Sequence, residues 1–138
     1  MNEDLLNIEI IKEYKIEDKY VSRVDMKTSK KDFVKNLDTN GSVKVFTSDG
    51  AELSDDDFVG TGMILQVSRY GDVYEFDVAV MGDFSGDGKV TAQDLSTMNA
   101  AVLDLVSLDG ALKLAGDIDE NGRFSATDLS EVNRMVLQ

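Results

Sequence analysis

Two hydrophobic periodicities divide the chain near residue 81. Before this point apolar and polar residues mostly alternate, as they do over residues 73–80. Alternation of this length is typical of a half-buried strand. After this point the apolar spacing is helical, because Leu95, Met98 and Val102 fall on one face of a helix. The pattern therefore predicts a strand-rich first part followed by a helical second part.

The first part is predicted to be a small α+β module. Strands are expected at residues 14–16, 20–24, 42–47, 63–68 and 73–80, the last two forming a hairpin. Ser29 and Asp32 have capping-box spacing and predict the start of a helix, whose apolar face runs on to Leu37. The expected fold of this module is one helix on a mostly antiparallel sheet.

The amino-acid composition narrows the kinds of partner, bound ion and catalytic group that the chain can have. The 138 residues include 27 acidic and 14 basic side chains, a formal net charge of −13, which repels nucleic acid and anionic membranes and favours a hard cation. Histidine and cysteine are both absent, which removes the commonest general base and the thiolate nucleophile. No convincing carboxylate pair lies outside two acidic loops described below, so we do not expect an enzyme.

Targeting signals are missing from the first residues. Residues 1–12 have neither the basic n-region nor the apolar h-region of a signal peptide, and no apolar run reaches membrane-spanning length. We interpret the chain as a mature fragment or an excised piece of a larger protein. Proline is also absent, so a proline-rich linker between the two parts is excluded.

The second part contains an internal repeat, residues 82–104 and 116–138. Oxygen-bearing side chains occupy loop positions 1, 3, 5, 9 and 12 in both copies: Asp83, Ser85, Asp87, Thr91 and Asp94, then Asp117, Asp119, Asn121, Ser125 and Asp128. Glycine stands at position 6 as Gly88 and Gly122. This is the twelve-residue calcium-loop pattern, in which alternate side chains point inward and the glycine permits a sharp turn.

We expect two bound calcium ions. At position 7, Lys89 and Arg123 would contribute only their carbonyl oxygens. Magnesium is the competing ion, although it requires near-octahedral geometry. Both loops carry aspartate at position 12, a shorter side chain than the usual glutamate. The first loop follows a predicted strand, so it has an exiting helix and no entering one.

Two loops of this kind, each opened by Gly-Asp, closed by Asp-Leu and followed by a helix, resemble a dockerin over residues 82–138. The resemblance implies a calcium-dependent module of cellulosomes and related bacterial assemblies for polysaccharide degradation. Such modules bind cohesin modules on scaffoldin proteins and attach secreted enzymes or adhesins to them. One departure is Ser85, where the family usually has Asn or Asp. A hydroxyl is a weaker ligand, so the first site is expected to be the weaker one.

The first 81 residues are similar to the X modules that often precede dockerins, with the resemblance carried by residues 36–45 and 59–63. Such modules are implied to stabilise or extend the dockerin. The expected organisation is therefore an α+β domain at residues 1–81 and an all-α dockerin at 82–138. The dockerin would contain two repeats, each a calcium loop followed by its exiting helix, the F-helix.

The resemblance also implies a partner surface. Dockerins use loop positions 10 and 11 and one exposed face of the following helix for cohesin. Carried over, and with 100° per residue on each helix, the surface comprises Ala92, Gln93, Ser96, Asn99, Ala100 and Leu103 in the first repeat and Ala126, Thr127, Ser130, Asn133, Arg134 and Leu137 in the second. The loop pairs differ from the Ser-Thr pair of the best-known clostridial type, which leaves the cohesin class open.

Two alternatives remain at this surface. Leu103 and Leu137 either pack against the neighbouring helix or act as apolar anchors for the partner. The repeat symmetry predicts two binding orientations related by a half-turn. Arg134, which replaces Ala100 in the second repeat, favours the orientation that uses the second helix.

A different function is also compatible with the sequence. The N-terminal module could bind carbohydrate, with the calcium repeats as a structural staple. Sugar-binding platforms depend on exposed aromatic faces, yet tryptophan is absent. The hypothesis therefore requires that several of Tyr14, Tyr20, Tyr70 and Tyr74 be exposed on one surface.

Overall fold

The computed structural model describes residues 8–10, 14–39 and 41–137. Most of the segment 1–12, on which the reading of targeting signals depends, lies outside the described residues. The strands are β1 (Ile8–Ile10), β2 (Lys15–Glu17), β3 (Tyr20–Val24), β4 (Leu37–Thr39), β5 (Ser42–Phe46), β6 (Ile64–Arg69) and β7 (Asp72–Val80). The helices are α1 (Lys30–Lys35), α2 (Ala92–Val102), α3 (Ala111–Gly116) and α4 (Ala126–Val136). Residues 14–80 are called the sheet region below, and residues 81–137 the loop-helix region.

Five strands form the main sheet in the order β2-β3-β7-β6-β5. Strands β6 and β7 form the expected hairpin, with Tyr70 and Gly71 as its two-residue turn, both at positive φ. Strand β3 lies parallel to β7, with Val21 opposite Val78, and the register shifts between Val21 and Val24. Strands β1 and β4 pair separately as an antiparallel ladder.

The fold class expected from the sequence is wrong in two respects. The sheet is mixed, because the chain returns to pair β7 in parallel with β3 at its centre. The loop-helix region is not all-α, because α2, α3 and α4 alternate with long irregular loops. Such loops follow from their ligand pattern, since a helix cannot turn five side-chain oxygens towards one point.

Helix α1 begins where the capping signal placed it and ends earlier than expected. The Ser29 hydroxyl accepts a hydrogen bond from the backbone N–H of Asp32 at 3.2 Å, which confirms the predicted N-cap. The helix ends at Lys35, and Leu37 begins strand β4 instead of continuing the helix. Pairing with β1 therefore outweighs the helical spacing of Leu37 from Phe33.

Two apolar clusters stabilise the fold. The larger one fills the sheet region, with Phe33 of α1 fully buried among residues of β3, β5, β6 and β7. The smaller one lies between α2 and α4, where Met98 and Val132 are fully buried and Val90 is nearly so. Met26 packs against both clusters, so the two regions share apolar contacts.

Backbone hydrogen bonds also join the two regions. The Lys27 N–H donates to the Gly88 carbonyl at 2.6 Å, and the Met81 N–H donates to the Val24 carbonyl at 2.9 Å. The Gly82 N–H donates to the Ala115 carbonyl at 2.8 Å, which fixes α3 beside the end of β7. Main-chain bonds of this kind restrain orientation more than side-chain contacts do.

We expect the sheet region and the loop-helix region to tumble as one body in solution. The joint at residues 80–83 is short, and backbone bonds and Met26 hold it on both sides. ¹⁵N relaxation in calcium should give a single rotational diffusion tensor for amides of β6, β7, α2 and α4. Separate correlation times for strands and helices would contradict this.

Candidate functional site

The first acidic loop, residues 83–94, gathers its carboxylates around one point. Oxygens of Asp83, Asp87 and Asp94 all lie within 4.8 Å of one another. Asp83 is 0% exposed and Asp94 is 1% exposed, whereas Asp87 is open to solvent. The predicted ligands at positions 1, 5 and 12 are therefore brought together, two of them inside the protein.

The second loop, residues 117–128, repeats this arrangement. Oxygens of Asp117, Asp119 and Asp128 lie within 4.8 Å of one another, and Asp128 is fully buried. Asp117 accepts hydrogen bonds from the backbone N–H groups of Asn121 and Gly122. Unlike Asp83 in the first loop, Asp117 is only half-buried.

Each position-12 aspartate closes its loop and caps the helix that follows. Asp94 accepts hydrogen bonds from the backbone N–H groups of Phe84 and Ser85 through Oδ1, and from that of Thr91 through Oδ2. Asp128 makes the corresponding three bonds in the second loop. The Thr-x-x-Asp and Ser-x-x-Asp spacing of a capping box carries this signal in the sequence.

The remaining predicted ligands also lie in the two loops. Ser85 Oγ lies 3.2 Å from Asp83 Oδ1 and 3.0 Å from Asp87 Oδ1. The hydroxyls of Thr91 and Ser125 lie beside the position-12 carboxylates, and the Asn121 amide donates to Asp119. At position 7, the backbone N–H groups donate within the loop, from Lys89 to Asp87 and from Arg123 to Asn121.

These buried carboxylates have no cationic partner. Among the residues that the structure describes, no lysine or arginine forms an ion pair with Asp83, Asp94 or Asp128. Burial raises the pKa of Asp83 above its ordinary value, against the lowering effect of its backbone N–H donors, and Asp94 raises it further. Burial likewise raises the pKa of Asp128, and the nearby Asp119 adds to the effect. Clustered, buried, oxygen-only donors fit a hard divalent cation such as calcium.

A groove runs between α2 and α4 on the exposed side of the smaller cluster. It has a volume of about 590 Å³ and is lined by the same four positions of each repeat: Ala92, Leu95, Ser96 and Asn99, and Ala126, Leu129, Ser130 and Asn133. Six of these belong to the predicted partner surface. Leu95 and Leu129, assigned from the sequence to the core stripe, are half-buried and also line the groove.

The other predicted partner residues do not line this groove. Gln93 and Thr127 are exposed, and Ala100 is half-buried. Leu103 is 60% exposed and Leu137 is 80% exposed at the C-caps of α2 and α4, so neither is packed against the neighbouring helix. Arg134 pairs with Glu131 and lines a separate cleft with Arg23 and other residues of the sheet region.

The tyrosines do not share one exposed surface. Tyr14 is buried and stacks near Phe33, and Tyr20 is half-buried with its hydroxyl near Gly110. Tyr70 and Tyr74 are exposed at the β6–β7 hairpin. The carbohydrate-binding hypothesis is therefore left with two of its four aromatic candidates.

One contributor to the first loop was missed by the sequence reasoning. The backbone N–H of Thr61, in the sheet region, donates to Asp83 Oδ2 at 3.0 Å. The Thr61 hydroxyl is fixed in turn, accepting from the Val80 N–H and donating to the Val80 carbonyl. A main-chain donor 22 residues away leaves no local signal in the sequence.

The described chain contains no helix that is long and apolar enough to cross a membrane. Neither the comparison with curated proteins nor that with solved structures returned a match. The comparison with family models matched residues 81–137 to the dockerin type I domain. Dockerin domains are non-catalytic, calcium-dependent modules that bind cohesin. The match covers the loop-helix region and supports the dockerin resemblance of these residues.

Proposed function

We propose that this chain is a non-catalytic adaptor that binds a scaffoldin cohesin in the presence of calcium. Its dockerin, residues 82–138, would anchor a secreted parent protein to a cell-surface complex. The preceding domain, residues 1–81, would hold the dockerin in a fixed orientation. The dockerin match supports cohesin binding. The groove between α2 and α4, lined by the same positions of both repeats, is the observation on which we assign the cohesin-binding surface.

Two calcium ions are proposed, one in each loop. Asp83, Asp87 and Asp94 would hold the first, and Asp117, Asp119 and Asp128 the second, with the hydroxyl and amide oxygens of each loop as further ligands. Calcium supplies positive charge to carboxylates that are otherwise buried without a cation. The protein's own part is to fix the loops, because Asp94 and Asp128 tie each loop to the first turn of its helix.

The groove suits a protein partner better than a small substrate. It is open, and the described residues that line it are small, apolar or uncharged. All of its lining residues come from α2 and α4, so the sheet region leaves it uncovered. An exposed leucine stands at the C-cap of each helix, as an apolar anchor at a protein interface would.

We expect the full chain to capture cohesin in calcium and to lose it in excess chelator. The test is a pull-down against a panel of immobilised cohesins of different classes, with magnesium substituted for calcium in a third arm. Asp83→Ala and Asp117→Ala, each of which removes a loop carboxylate, should weaken capture. Asp104→Ala, which removes an exposed acid outside both loops, is their matched control for charge loss and should bind normally. Failure to bind any cohesin in calcium, with the chain folded, would overturn the proposal.

A further inference from the structure

The segment of residues 58–61 in the sheet region lies directly against the first calcium loop. Its Thr61 N–H donates to Asp83, the position-1 carboxylate. Gly60 is so close that an added Cβ would lie 2.0 Å from the Gly86 carbonyl oxygen. A Cβ on Gly88 would lie 2.6 Å from the Val59 carbonyl oxygen. The segment therefore covers one side of the loop with backbone atoms.

The sheet region holds this segment firmly. The Val59 N–H donates to the Thr28 carbonyl at 2.8 Å, and the Gly62 N–H donates to the Val78 carbonyl at 2.9 Å. The Thr61 hydroxyl bonds both backbone groups of Val80, three residues before Asp83. Strand β7 leads directly into the first loop. Through Val80 it also fixes Thr61, whose N–H orients the first ligand, Asp83.

The second loop has no such cover among the described residues. Gly122, the counterpart of Gly88, has open space where its Cβ would be. The sheet region contacts this loop instead through side chains, since Arg23 donates to the Ile118 carbonyl and Lys15 pairs with Glu120. These contacts are made to the Ile118 carbonyl and the Glu120 carboxylate. Two loops with the same ligand spacing therefore have different surroundings.

We propose that the 58–61 segment is a positioning element for the first calcium site and that calcium affinity there depends on it. This rests on the proposed calcium binding of the loop. The Thr61 N–H lies with its partial positive charge beside the Asp83 carboxylate and holds that carboxylate in place before the ion binds. Partners that orient a metal ligand in this way typically change affinity by about 10- to 100-fold. The dependence offsets the weaker hydroxyl ligand, Ser85, of this loop.

Thermodynamic linkage makes the effect reciprocal. If the segment raises calcium affinity at the first loop, calcium bound there must stabilise the segment by the same factor. The Thr61 amide reports on this directly, because its hydrogen is held by Asp83. Calcium is thus expected to order part of the sheet region as well as the dockerin.

Gly60→Ala tests the proposal without touching a ligand. The added methyl forces the segment away from Gly86, and Gly60 has no positive φ that would add strain. Calcium binding to the full chain is measured by calorimetry in two backgrounds: Asp117→Ala, which reports the first site, and Asp83→Ala, which reports the second. We expect Gly60→Ala to weaken the first site at least tenfold and to leave the second within about twofold.

Gly62→Ala is the matched control. It makes the same change two residues along, where an added Cβ meets nothing within 4 Å, although its φ of +93° adds backbone strain. It should weaken the first site less than Gly60→Ala does. An equal or larger effect of Gly62→Ala would show that general disturbance of the segment, rather than its contact with the loop, is responsible, and would overturn the proposal.

Hydrogen exchange supplies a second measurement on the unsubstituted chain. Saturating calcium should slow exchange of the Thr61 amide at least tenfold, and an unchanged rate would overturn the proposal. Calcium titration of the same chain reports on the proposed function separately. Two bound ions, with both sites weakened alike by Gly60→Ala, would refute the positioning role and leave the function standing. No binding at the first loop would refute both.

Discussion

Excess chelator should unfold α2 and α4 while the main sheet persists. Among the described residues, the smaller apolar cluster has three buried members, Val90, Met98 and Val132, surrounded by partly buried side chains, and this core is too small to stabilise the region alone. Three buried carboxylates lower the stability of this region, each by several kcal/mol when no cation is present. Two ions, each at about 1,000 times its dissociation constant, contribute roughly 8 kcal/mol together. Without the ions, the summed cost of the carboxylates exceeds the roughly 3–5 kcal/mol that a core in so small a domain supplies.

Circular dichroism at 222 nm measures this loss directly. Helices α2 and α4 have 11 residues each, so most of the helical signal should disappear in chelator and return with calcium. Magnesium at the same concentration should restore less of it, because it demands a stricter geometry. Slow amide exchange in β6 and β7 should remain as the internal control. A helical signal that is unchanged in chelator would show that the cluster is sufficient by itself.

The parts of the site that are close in sequence were predictable. Each acidic loop is a run of twelve residues, so spacing alone selected candidate ligands, and the structure brings three carboxylates together in each loop. Ser29 marked the start of α1 for the same reason, because a capping box is a local signal. Alternation likewise located the β6–β7 hairpin, whose turn fixes which residues pair.

The parts that depend on distant partners were not predictable. The residue types of β3 indicate a strand, but they do not show that the strand lies parallel to β7. Leu37 is four residues after Phe33, which fits a helix, and only pairing with β1 makes it a strand residue. The contact between Gly60 and Gly86 arises from the same long-range topology. It could not be predicted from the sequence, because neither residue has a side chain.

The ends of α2 and α4, where Leu103 and Leu137 lie, have different surroundings. Met135 of α4 lies next to Gly82, beside the first loop and the sheet region, whereas Val102 of α2 shares a cleft with Phe124 of the second loop. The two helices therefore run in opposite directions, with their C-cap leucines at opposite ends of the helix pair. Arg134 is already paired with Glu131, so the preference that it gives to α4 should be modest.

Leu103→Asp and Leu137→Asp together should abolish cohesin binding, while each alone has a small effect. If the partner binds in two orientations of equal affinity, removing one orientation only halves the association constant, a change of about twofold. Removing both leaves a carboxylate in each anchor position, and loss of a hot-spot leucine together with burial of a charge costs at least about 2 kcal/mol, roughly 30-fold, in either orientation. The exposure of both side chains means that neither change disturbs the core.

Calorimetry against the cohesin identified by pull-down distinguishes the possibilities. Leu105→Asp is the matched control, since Leu105 is 73% exposed, lies two residues from Leu103 and is outside the predicted partner surface. It should bind normally and should share the calcium stoichiometry of the double variant. Complete loss of binding from Leu137→Asp alone would establish a single orientation through α4. Normal binding by the double variant, with both calcium sites intact, would show that neither leucine anchors the cohesin.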